Sequence, residues 1–173
     1  MALTAAGLTA GCFEPLYGAR PTANAESVQD KFAAIAVEIP LADTLKGTPT
    51  ERIAVSMRNA LDYNLHNGGN ALAPTYQLKV MVNTSQFTAV LDPITGRPNT
   101  EIDNVTANYQ LVELSTGKVV VRDNCFAHVD FDIPGSQQRF AKQRAQRDAE
   151  DRAVQLVAET IRNRLASYFV AGT

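Results

Sequence analysis

The sequence predicts an α+β fold, a two-layer sandwich with two helices packed on one face of a four-stranded, mainly antiparallel sheet. Three observations predict it. Apolar residues recur at three and four residues over 49–65, the period of an amphipathic helix. Between Tyr76 and Phe131 the pattern changes to strict alternation, interrupted by Gly- and Pro-bearing turns, as half-buried strands require. From Gln137 to Phe169 a row of residues four apart returns the chain to helix. With 173 residues, 45% hydrophobic and 20% charged, the chain is long enough for one domain with a substantial core. Three parts are expected: a partial signal peptide over 1–11, a linker over 12–30 and one domain over 31–173.

The first element is expected as a strand from Phe32 to Ile39, closed by Pro40. Ile35, Val37 and Ile39 alternate there with Ala34, Ala36 and Glu38. Thr48-Pro49-Thr50-Glu51 then reads as a helix start, with Thr48 as N-cap, Pro49 in the first turn and Glu51 completing a capping box. Ile53, Met57, Ala60, Leu61 and Leu65 form its apolar stripe, and Asn67-Gly68-Gly69-Asn70 ends it. Tyr76, Leu78, Val80 and Val82 begin a strand that can run on to Leu91, followed by the turn chemistry of Asp92-Pro93-Ile94-Thr95-Gly96-Arg97-Pro98. Val105, Ala107, Tyr109 and Leu111 oppose Asn104, Thr106, Asn108 and Gln110, a strand with one wet face. A tight turn at Ser115–Lys118 leads into the strand Val119–Phe131, which Pro134 and Gly135 stop.

In the last helix Ala141, Ala145, Ala149, Ala153, Val157, Ile161, Leu165 and Phe169 share one row. Such a row drifts about 40° around the helix per step, so Leu156 and Tyr168 are expected to join the buried face. The alanines allow close approach to the sheet, and the larger residues anchor the C-terminal half.

The net charge of −2 gives no electrostatic basis for a nucleic-acid partner. No run approaches the roughly 20 apolar residues of a membrane span. Attachment to a membrane is instead expected through Leu8-Thr9-Ala10-Gly11-Cys12, small residues ending in Gly-Cys, as at the end of a lipoprotein signal peptide. Thr9 stands where Leu is usual, and no Lys or Arg precedes Arg20, so the basic start of such a signal is expected to be missing. Cys12 would carry the lipid. The competing use of Cys12 is a disulfide to Cys125, whose strand context favours a buried thiol.

The catalytic inventory is thin. No nucleophile elbow, phosphate loop or paired-cysteine metal spacing occurs, so neither an enzyme nor a cofactor is expected. His128, Asp130 and Asp132 put an imidazole and two carboxylates on one strand face, acceptable metal ligands, but alternation with Val129, Phe131 and Ile133 alone accounts for them, and no metal site is assigned. Arg139, Lys142, Arg144 and Arg147 open the last helix with no acid until Asp148. Positive charge there opposes the helix dipole. The four are either a solvated face or, with Arg97 and Lys118 in turns, candidates for binding an anionic ligand or an acidic partner.

Gly11-Cys12-Phe13-Glu14-Pro15-Leu16-Tyr17-Gly18 resembles the mature start of alphaproteobacterial lipopolysaccharide-assembly lipoproteins of the LptE family, commonly Gly-Cys-Gly-Phe-x-Pro-Leu-Tyr-Gly. This chain lacks the Gly between Cys and Phe. The last helix, with Asp148-Ala149-Glu150 and Arg162–Phe169, and the order of elements are similar in character. The resemblance implies a non-enzymatic lipoprotein on the periplasmic side of the outer membrane, which sits in the LptD β-barrel, supports its assembly and helps deliver lipopolysaccharide to the cell surface. Phe13 after the lipidated Cys is compatible with sorting to that membrane. The second class of function left open is a periplasmic auxiliary lipoprotein of a transport system. With covalent lipid as the tether, Cys12→Ser is expected to leave a folded domain that is lost from the membrane fraction. A variant that still sediments with membranes through detergent-free washes contradicts that assignment.

Overall fold

The computed structural model describes residues 27–41, 46–96, 98–133 and 139–171. Cys12, the Gly11–Gly18 motif and Arg97 lie outside the described residues. The elements run α1 Val28–Ala33, β1 Ile35–Glu38, α2 Pro49–His66, β2 Tyr76–Leu91, β3 Pro98–Glu113, β4 Val119–Asp132 and α3 Arg139–Ala171. The expected α+β sandwich is present, with one addition. Residues 28–33 form a short helix ahead of the first strand, which begins at Ile35 and not at Phe32. A reciprocal cap nucleates it: the Asp30 amide donates to Ser27 Oγ and the Ser27 amide to Asp30 Oδ2, each at 3.1 Å. The turn carries Phe32 into the core, edge-on to Phe169 at 5.9 Å. Apolar alternation through Ala34 hid this turn.

The sheet has the order β1-β2-β3-β4. β1 pairs parallel to β2 from Ile35↔Tyr76 to Glu38↔Lys79, which requires a crossover, supplied by α2. β2, β3 and β4 are antiparallel neighbours over nearly their whole length. At the start of α2 Thr48 is the N-cap in extended conformation, but its side chain makes no capping bond. Glu51 instead accepts from the Gly47 amide at 2.5 Å. At the other end Asn67, not a glycine, takes the first left-handed position, φ 50°. Its short polar side chain makes it one of the few residues that tolerate this.

The core lies between the sheet and the helices. Leu78 and Val80 of β2, Val105, Ala107, Tyr109 and Leu111 of β3, and Val121, Cys125, Ala127, Val129 and Phe131 of β4 are buried against it. From α3 come Ala149, Ala153, Val157, Ile161, Leu165 and Phe169, the row read from the sequence, and beside it Val154, Ala158 and Ala166. Leu156 does not join them. It is half exposed, because the second buried row lies on the other side of the first, where α3 meets α2. Tyr168 packs at the margin of the core, as expected. Cys125 is a free, buried thiol whose Sγ lies 4.0 Å from the Val157 carbonyl oxygen. Burial, reinforced by Asp123, pushes it up to about 11, so it is an inert core residue.

Deleting the Ile161 side chain to Ala is expected to cost about 3 kcal/mol in urea unfolding. Leu156→Ala, on the exposed side of the same helix, is expected to cost less than about 0.5 kcal/mol. Equal losses at both positions would contradict this orientation of α3.

Candidate functional site

All three helices among the described residues lie on one side of the sheet, and no described element covers its other side. Alternation sends Asn104, Thr106, Asn108 and Gln110 of β3 to that outer face. β2 adds Met81, Asn83, Ser85 and Phe87, and β4 adds Arg122, Asn124, Phe126 and His128. The polar groups bond laterally: the Asn104 side-chain amide donates to Ser85 Oγ at 3.3 Å and Arg122 Nη2 to Gln110 Oε1 at 3.2 Å. Between them stand exposed apolar side chains, Met81 at 61% and Phe126 at 64%. The Phe126 ring stacks obliquely on His128, 5.0 Å between centroids. A shallow groove of about 490 Å³ runs over this face near Pro40, Lys79, Met81, Asn108, Gln110 and Arg122. Such a surface offers amide and hydroxyl groups for hydrogen bonding, interspersed with apolar anchors.

His128, Asp130 and Asp132 lie on this same face at alternate positions of β4. Asp132 accepts from Thr100 Oγ1 at 3.1 Å. Among the described residues no group of three His, Cys, Asp or Glu side chains is arranged to hold a metal ion.

The cationic candidates separate. Lys118 follows the β3–β4 turn, at the end of the sheet opposite the start of α3, since β4 runs away from it for its full length. Fourteen residues of strand span about 45 Å, so Lys118 and the helix cations do not form one patch. Arg139, Arg144 and Arg147 are exposed on the first turns of α3. Lys142 turns inward, and its Nζ donates to Glu101 Oε1 at 2.8 Å. It therefore has a compensating anion within the chain.

That pair belongs to a buried polar cluster that sequence reading missed. Glu101 and Asp103 continue the buried phase of β3 beyond Val105 and face Glu150 of α3. Arg52 of α2 pairs with Glu150, and Gln146 donates to Glu150 Oε1 at 3.1 Å. Among the described residues Glu101 Oε2 and Asp103 Oδ2 have no hydrogen-bond partner. The signal was available: both acids fall in register with Val105, Ala107 and Tyr109. Burial, then Glu150 and Glu101, push Asp103 up to about 6, against the bonding of Gln86 and the attraction of Arg52.

No protein-family model matches the chain, and no curated protein does. Solved structures do match. A candidate lipoprotein of Caulobacter crescentus superposes with a TM-score of 0.62 at 20% identity, covering 83% of this chain and 96% of its own. Rare lipoprotein B of Shewanella oneidensis gives 0.54 at 16%, covering 79% and 96%. A minor lipoprotein of Acinetobacter baumannii gives 0.52 at 12%, covering 79% and 92%.

The elevated Asp103 sets a pH dependence. The unfolded chain releases this proton near 3.8, the folded chain only near 6, so stability falls as pH rises through that window and stays lower above it. Asp103→Asn is expected to stabilise by about 1 kcal/mol at pH 8, allowing for solvent screening, and by nothing at pH 3.5. A gain that is the same at both pH values would contradict the assignment. At these identities the likeness is one of architecture: the chain has the fold of bacterial lipoproteins that include rare lipoprotein B.

Proposed function

We propose that this protein is an outer-membrane lipoprotein, anchored through Cys12 on the periplasmic side, that occupies an LptD-type β-barrel, supports its assembly and helps deliver lipopolysaccharide to the cell surface. The observation that carries the reading is the uncovered outer face of the sheet. A water-lined barrel lumen is polar, and a plug that fills it needs a broad surface of hydrogen-bonding side chains with few unpaired charges. Asn104, Thr106, Asn108 and Gln110 with Met81 and Phe126 provide that combination. The Gly11–Gly18 resemblance and the fold shared with rare lipoprotein B support the same reading.

In this reading the domain does no chemistry. A lipid at Cys12 holds it at the bilayer, which raises its effective concentration beside the barrel. Among the described residues no helix is long and apolar enough to cross a membrane. Arg139, Arg144 and Arg147 of α3, with Arg97 between β2 and β3 in the sequence, are the candidates to meet lipopolysaccharide phosphates, while Lys142 pairs with Glu101. Lys118 stands apart at the other end.

The test is isolation of the protein from membranes in mild detergent, with mass spectrometry of what accompanies it. A stable one-to-one complex with a barrel protein is expected, and depletion of the lipoprotein should lower the amount of assembled barrel. Recovery of an inner-membrane transporter subunit without any barrel would overturn the proposal in favour of an auxiliary transport lipoprotein.

A further inference from the structure

β1 covers the outer edge of β2 only as far as Lys79. From Val80 to Leu91 no strand among the described residues pairs with that edge. Apart from Val80 and Val82, every one of these residues is exposed, because α2 covers the early part of the strand and α3 lies over β3 and β4. The result is a flange, bare along its edge and on both faces, about 40 Å long for twelve residues.

Its composition is unusual for such a place. Val80-Met81-Val82-Asn83-Thr84-Ser85-Gln86-Phe87-Thr88-Ala89-Val90-Leu91 contains no charged residue, no proline and no glycine. Exposed edges are ordinarily blunted by charge, proline or a bulge, since their unpaired amides and carbonyls template another strand. Here the register shifts of β2 fall only at Thr88–Leu91, next to the turn. The opposite edge of the sheet shows the usual protection, with Arg122, Asp123, Asp130 and Asp132 along β4.

We propose that this edge pairs with the same edge of a second copy of the chain, antiparallel, about a two-fold axis near Ser85. A two-fold axis perpendicular to the sheet keeps each face with its like and guarantees equal length on both sides. With the axis at Ser85, Asn83 stands opposite Phe87, Thr84 opposite Gln86 and Val82 opposite Thr88, and no like charges meet anywhere along the seam. β1 of each copy bounds the overlap. The absence of charge argues for this occupant over a charged peptide, which would gain no complementary partner on the edge. The pairing uses neither the helix layer nor the anchor and does not rest on the barrel reading; it is the form of the chain when free of a barrel.

The experiment is sedimentation of the full chain carrying Cys12→Ser over a range of concentration, with two variants added. A monomer–dimer equilibrium is expected. Asn83→Lys and Phe87→Lys place charges on the outer face beside the seam at exposed positions, and each should weaken association at least tenfold with unchanged circular dichroism and unfolding midpoint. Ser85→Cys should form a disulfide-linked dimer under mild oxidation, whereas Tyr63→Cys on the exposed side of α2 should not. A chain that stays monomeric at every concentration overturns the proposal. So does a dimer indifferent to both lysines, or one that Ser85→Cys fails to link.

Discussion

The constraint on which this fold depends is the close seating of α3. One long helix must bury a face against β3 and β4 and another against α2. Ala149 and Ala153 permit this, as a methyl group holds two backbones little further apart than contact distance. The Cys125 sulfur against the Val157 carbonyl oxygen marks that proximity. Larger side chains then take over toward Phe169, whose ring meets Phe32 and Tyr76 edge-on. Because this packing places every described helix on one side, no described element covers the other side of the sheet or the far half of β2.

On the inner face of β3 apolar side chains end at Val105, yet α3 continues for several turns toward Arg139. Over that stretch the contact becomes ionic. Glu101 receives Lys142 and Glu150 receives Arg52, tying β3, α3 and α2 together, while Asp103 remains with an unpartnered oxygen. Burial is the main source of the elevated Asp103, and the negative charge that three carboxylates leave in excess over two cations adds to it. Replacing a buried ion pair with apolar residues often stabilises a protein, while removing one partner strongly destabilises it. The cluster therefore fixes where α3 sits more than it adds to net stability.

Much of this was legible in the sequence. Regular periods announced α2, the three long strands and α3, because each buries one face and a buried face must repeat with the geometry of its element. What was lost lay where two patterns overlap. Residues up to 30 were read as linker and Phe32–Ala33 as the start of a strand, although Ser27 and Asp30 carry the capping box of a short helix. Leu156 was assigned to the core because drift of an i, i+4 row does not say to which side it is compensated; that is decided by α2. Glu101 and Asp103 are in register with the buried phase but were not singled out, since the cations that accompany them come from residues forty or more positions away. The same distance hid the role of Lys142. The bare flange of β2 could not be read at all, as nothing in its sequence tells where β1 stops pairing.

The functional account rests on sidedness: one face of the sheet holds the domain together and the other meets the partner. Hydroxyl-radical footprinting of the lipoprotein, free and in its detergent-extracted complex, tests this directly. In the free chain Met81 and Phe126 should be oxidised readily and Met57, fully enclosed by α2 and the core, should not. In the complex Met81 and Phe126 should become protected while Tyr63, on the exposed side of the helix layer, stays reactive. Protection of Tyr63 with Met81 and Phe126 still reactive would place the partner on the helices and contradict the account.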